Sequence, residues 1–237
     1  MFSSRLSRFI ALSGASGWLT LVVLNDVIGS GPKYDASPGD WAAYVADHRG
    51  AADYAGVYGE LAALALAMVF VGILCSLLRR AEGERGVLAL IALTAGIVGS
   101  ATKMASGAPI LAALSLSDKG LDGETIRVLF NMNGAAFTLA FIPNGVMMLA
   151  LGAGILSYRH MPPWLGWFGI VAGVGLIAGA PFVQDDGPGF LGMLLFIAWN
   201  IAASVTLFVK WPSIASAAAA PPPGTGSEQR AAAGLAV

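Results

Sequence analysis

Apolar stretches of about twenty or more residues recur six times along this chain, and no soluble core has room for them all. They fall at roughly 9–28, 51–78, 87–116, 125–158, 164–183 and 190–209. The hydrocarbon of a bilayer is about 30 Å thick and is crossed by about 20 helical residues. Within it the backbone must satisfy its own polar groups, so each stretch reads as a helix. Only 11% of residues are charged, against about 25% in soluble domains. The expected fold class is therefore all-α: a polytopic membrane helix bundle of six transmembrane helices over residues 1–214. A flexible Ala-, Pro- and Gly-rich cytoplasmic tail is expected over 215–237.

The first stretch follows Arg5 and Arg8, as a signal peptide's apolar region would. Its length and the lack of an A-x-A site point to an uncleaved first span. The third and fourth stretches are too long for straight crossings. Pro109 and Pro143 lie inside them, so kinks are expected there.

Lysine and arginine set the orientation. With the N-terminus inside, the inner segments hold Arg5, Arg8, Arg79, Arg80, Arg85, Arg159, Lys210 and Arg230. The outer loops hold Lys33, Arg49, Lys119 and Arg127. Both termini are thus expected in the cytoplasm. Trp164, Trp167 and Trp211 would belt the inner interface, and Tyr34, Trp41 and Tyr44 the outer one.

The longest outer loop contains Ser37-Pro38-Gly39-Asp40, a helix start with a cap, a first-turn proline and an acid at the positive dipole end. Trp41, Tyr44, Val45 and His48 then share one helical face. A short interfacial helix on the outer membrane surface is expected, with an ordered loop as the alternative.

Several chemistries are excluded by what is present. A net charge of −1 gives no basic field for nucleic acid. The single cysteine, Cys75, cannot form an internal disulfide. His48 and His160 both lie outside the spans, so no haem, di-iron or other metal centre is expected, and no cofactor.

Ionisable and amide groups inside the spans mark the candidate site, because they are costly there and turn inward. Glu60 and Lys103 fall at matching depth in the outer half of consecutive antiparallel spans. Lys103 shares its face with Gly96, Gly99, Ser106 and Gly107, which points it at a neighbouring helix. Pairing relieves both charges, either as a register-fixing ion pair or as a catalytic acid/base pair in which Lys103 tunes Glu60. Asp26, Tyr58, Asn131, Asn133 and Asn200 are the candidate ligand-binding residues. Asn133 and Asn144, eleven residues apart, return to nearly the same helix face. The small-x-x-x-small faces, such as Gly169 with Gly173, serve internal packing or a homo-oligomer.

The stretch Met161-Pro162-Pro163-Trp164-Leu165-Gly166-Trp167-Phe168-Gly169 resembles a loop of the form L-P-x-W-L-G-W found in uncharacterised bacterial multi-pass membrane proteins. The resemblance covers about two spans. It implies an inner-membrane protein and carries no site residue. Size and a span-two carboxylate are also loosely similar to membrane-embedded terpene cyclases. Those have a further acid late in the chain, where this sequence has Asn200.

The leading expectation is a membrane protein that binds a lipidic ligand, membrane lipid or a membrane protein partner through this outer polar cluster. A small enzyme acting on a lipid or isoprenoid, with Glu60 as acid/base, is the alternative. A transporter ranks third, because polar groups are few in the inner half.

Overall fold

A computed structural model describes residues 4–28, 31–33, 35–182 and 188–219. Among them there is no strand. The helices are α1 (Ser4–Ala11), α2 (Ser13–Ile28), α3 (Pro38–Asp47), α4 (Ala51–Glu82), α5 (Val87–Ala105), α6 (Gly107–Leu116), α7 (Gly123–Leu139), α8 (Phe141–Tyr158), α9 (Pro163–Gly179) and α10 (Pro188–Ala219). Five helical runs are long and apolar enough to cross a membrane: Ala51–Glu82, Val87–Lys119, Gly123–Tyr158, Pro163–Phe182 and Gly189–Ala218. A shorter apolar helix covers Arg8–Leu24. The protein is therefore a helical membrane protein.

The first expected span is broken at Leu12 rather than continuous. Ser204 on α10 repairs the break. Its hydroxyl donates to Ala11 O at 2.5 Å and accepts from Ala15 N at 3.1 Å. The prolines act as their chemistry requires, since each lacks the N–H that would bond four residues back. The long third and fourth runs are interrupted at Ser106 and Ala140, three residues before Pro109 and Pro143. Pro212 frees the carbonyl of Phe208, and the Arg8 Nε donates to it at 3.0 Å while its guanidinium covers the Phe208 ring at 5.2 Å. α10 bends beside this point, at Lys210 (φ −107, ψ 17).

Helix neighbours run α2–α4–α5–α8–α9–α10 and back to α2, which makes a closed ring. Glycines let the ring close. A Cβ at Gly17 would meet Ala63 O at 2.6 Å, one at Gly152 would meet Gly166 O at 2.7 Å, and one at Gly192 would meet Gly175 O at 2.5 Å. The small-residue faces of α2, α8, α9 and α10 are thus used inside the chain.

Glu82 closes the α4–α5 turn. Gly83 and Gly86 take positive φ (71 and 51), which favours glycine, and a glycine at the start of α5 has no side chain to cap it. The buried Glu82 carboxylate instead accepts from Leu88 N at 2.9 Å and Ala89 N at 2.8 Å. Glu82→Ala leaves two N–H groups unpaired, one buried and one partly buried, and is expected to lower stability by about 1–2 kcal/mol. A detergent melting curve checks it.

The α8–α9 connection carries a second buried polar group. Arg159 ends α8 with φ 51, and His160 is tucked in at 3% exposure with Nδ1 unpartnered. Burial holds its pKa down at about 4. The folded state thus opposes protonation that the unfolded chain accepts near pH 6.5. Stability is full above pH 6.5, falls as pH drops toward 4, and flattens below. The loss should total roughly 3 kcal/mol. Melting curves of His160→Gln beside the wild type should lack this component.

α3 forms at the predicted start. Ser37 and Asp40 make a reciprocal capping box, with Asp40 N to Ser37 Oγ at 3.2 Å and Ser37 N to Asp40 Oδ2 at 3.1 Å. Its apolar face meets protein. Trp41 and Val45 are buried with Val57, Leu114 and Ile126, and Trp41 packs on Phe130 at 4.8 Å. Tyr44 stacks on His48 at 4.1 Å. Burial, helped by the Asp53 charge, raises the Tyr44 pKa.

Tyr34, Asp185, Asp186 and the tail from residue 220 lie outside the described residues, as does the side chain of Asp26.

Candidate functional site

Lys103 sits three residues before the break at Ser106, on the α5 face that also carries Gly96, Gly99 and Ser100. This face looks into the ring because Gly96 and Gly99 bring α8 close. A Cβ at Gly96 would meet Met147 Sδ at 2.8 Å, and one at Gly99 would overlap the Asn144 amide. Glu60 comes from α4, next in the ring. The Lys103 Nζ lies 2.6 Å from Glu60 Oε1, with 18% and 19% of the two side chains exposed. The ammonium also stands 4.7 Å from the centre of the Phe137 ring. Two charges of opposite sign and an aromatic face are thus brought together where solvent is scarce, which strengthens every one of these interactions.

Lys103 borders a cavity of about 50 Å³ at the centre of the ring. Its polar lining is Lys103, Ser100, Asn144 and Asn200, and its aromatic lining is Trp18, Phe137, Phe141 and Phe196. The rings hold one another. Trp18 meets Phe196 edge-on at 4.8 Å, and Phe137 meets Phe141 at 5.0 Å. Asn200, 1% exposed, donates one N–H to Phe196 O at 2.8 Å. The volume has room for a few waters or a small headgroup, and not for a whole lipid. The set of donors can hold an oxygen-bearing group in an otherwise apolar chamber.

The candidate residues divide. Lys103 and Asn200 face the cavity, and Glu60 holds Lys103 from behind without lining it. Asn133 is elsewhere: its Nδ2 donates to Ser106 O at 2.7 Å and reaches Ser106 Oγ at 3.2 Å. It mends the α5–α6 break. Asn133 and Asn144 both turn toward the stripe that carries Gly99 and Ser106, one on each side of the interruption at Ala140, and of the two only Asn144 lines the cavity. Asn131 carries a buried Oδ1 without a partner and lies outside the cavity lining. Tyr58 is 60% exposed on α4 and is also outside it. Ser100, Asn144 and the aromatic lining of Trp18, Phe137, Phe141 and Phe196 are among the lining residues that sequence reasoning left out of the site. The signal for the first was its place on the Lys103 face. For Asn144 it was the proline one residue before it, which re-aims the helix.

Among the described residues no group of three or more His, Cys, Asp or Glu is placed to hold a metal ion. No curated protein and no solved structure matches the chain. One family does match, over residues 10–212, from the second half of α1 to the proline that bends α10. The chain belongs to this family, described as Domain of unknown function (DUF4386).

Proposed function

We propose that this protein binds a lipidic ligand within the membrane, with the ligand's polar end held at the central cavity. The observation that carries this reading is the Glu60–Lys103 pair at 2.6 Å, set against a cavity whose few polar groups are Ser100, Lys103, Asn144 and Asn200. A pair needed only for register would require no chamber beside it. Because Lys103 faces the chamber and Glu60 stands behind, binding accounts for the geometry better than acid/base chemistry at Glu60.

In this reading all six apolar stretches cross the membrane, the broken α1–α2 included. The runs Val87–Lys119 and Gly123–Tyr158, 33 and 36 residues long, measure about 50 and 54 Å at 1.5 Å per residue, well beyond a hydrocarbon core of about 30 Å. The excess is the α6–α7 hairpin, which with α3 forms an outer cap above the cavity. Trp164 and Trp167, 52% and 63% exposed at the start of α9, suit anchors at the inner interface. Both termini are then cytoplasmic, in a bacterial inner membrane, and the chain beyond α10 is a cytoplasmic tail. On intact cells an impermeant thiol reagent should label a cysteine placed at Asp118 in the hairpin loop, and protection of that cysteine would reverse the orientation.

The ligand is tested by extracting lipid from the purified wild type and from Asn200→Leu. The wild type should carry one defined non-bulk lipid, at least tenfold depleted in the folded variant. The same bulk phospholipids in both preparations would overturn the reading.

A further inference from the structure

We infer that the ligand is a single-chain lipid with one uncharged, oxygen-bearing headgroup, and that its chain lies in the outward groove between α5 and α8. This inference rests on the cavity being a ligand site and adds the ligand's class and its position.

The headgroup follows from charge. The cavity lining contains one charged residue, Lys103, and Glu60 already neutralises it at 2.6 Å. An anionic headgroup would have to displace Glu60 and leave a carboxylate unpaired at low dielectric, and a cationic one would face the ammonium. Ser100, Asn144 and Asn200 add only neutral hydrogen-bonding groups. A hydroxyl or carbonyl oxygen suits that set. At about 50 Å³ the cavity takes the headgroup and little more.

The chain then needs room nearby. A groove of about 820 Å³ lies on the outer side of α5 and α8, lined by Val98, Thr102, Leu139, Ile142 and Val146 among others. The groove is open and almost wholly apolar, so a chain lying in it would meet protein on one side and lipid on the other. Groove and cavity lie on opposite faces of α5 and α8, and close to each other at the turn around Pro143. Phe141, Asn144 and Met147 face the cavity, while Ile142, Pro143 and Val146 face the groove. That turn is the weakest part of the wall, because Pro143 cannot donate to Leu139 O. The seam is closed by a side chain, the Asn144 amide resting on Gly99. Rotation of Asn144 away from Gly99 joins the two spaces, and Asn144 is itself a group that would meet the headgroup.

Native mass spectrometry of the full chain tests this with three probes of equal chain length: 1-octadecanol, octadecyl sulfate and octadecyltrimethylammonium. We expect one octadecanol per chain, bound at least tenfold more tightly than either charged probe. Val98→Trp and Ile142→Trp fill the groove from exposed positions and should each cut octadecanol occupancy at least fivefold. Leu191→Trp, on the outward face of α10, should leave it unchanged. Equal or tighter binding of a charged probe overturns the headgroup class. Octadecanol binding indifferent to both groove variants overturns the chain's position. A dimer in the wild type that both groove variants abolish assigns the groove to a second copy and overturns it as well. Octadecanol binding that survives Asn200→Leu defeats the cavity reading itself, whereas a charged probe lost on Asn200→Leu defeats only the headgroup.

Discussion

Lys103→Met is expected to destabilise the protein by about 3–5 kcal/mol, while Glu60→Leu combined with Lys103→Met restores most of that loss. The reason is the asymmetry of buried ion pairs. Removing one partner leaves the other charged or forces it to titrate, in a setting where 18% and 19% of the two side chains are exposed. The residual exposure puts the single variant toward the lower part of that range. Replacing both partners with apolar side chains removes the desolvation penalty together with the attraction, and such swaps are often neutral. Lys103→Met also removes the cation from the Phe137 face, a smaller loss of about 1 kcal/mol. Melting in detergent for the wild type, both single variants and the double gives the coupling. Additive losses would mean that the two residues do not depend on each other.

Gly192→Leu should be damaging at or beyond roughly 3 kcal/mol, the upper part of what overpacking usually costs. A Cβ at Gly192 would stand 2.5 Å from Gly175 O and 2.9 Å from Leu176 N. Both are backbone atoms of α9, so no side chain can turn aside and α10 must move away. The movement would carry Phe196 and Asn200 with it, since they lie on the same helix and line the cavity. Gly72→Leu on α4 is the control, because nothing lies within 4 Å of its added Cβ. A helical glycine replaced in open space should be neutral or stabilising by up to about 1 kcal/mol. Equal melting points for the two variants would show that α9 and α10 do not approach as closely as the glycines allow.

Much of this arrangement was legible from the apolar stretches. Their length announced membrane helices, and depth arithmetic on two consecutive helices was enough to bring Glu60 and Lys103 to the same level. The start of α3 was legible too, because a capping box is local chemistry. The kinks at Pro109 and Pro143 were legible as well, and Asn133 and Asn144 do turn toward one stripe, at Ser106 and at Gly99. What spacing did not show was the partner that each one meets. The same difficulty hid the Leu12 break, which has no proline and is held open by Ser204 from the far end of the chain. Long-range partners of that kind leave no periodic mark. Nor did the surroundings of α3: its apolar face fits a membrane surface or another helix equally well, and only the packing of Trp41 on Phe130 decides between them. The central cavity was out of reach for the same reason, since it exists only once six helices have closed into a ring.

Whether the ion pair serves a ligand or merely the fold is decided most directly by native mass spectrometry of the Glu60→Leu/Lys103→Met double variant beside the wild type. The double variant should fold and melt near the wild type, yet lack the defined lipid that the wild type carries, because Lys103 is the strongest donor at the cavity. A double variant that folds and keeps the same lipid at the same occupancy would contradict the account, and would leave Glu60 and Lys103 as a structural pair.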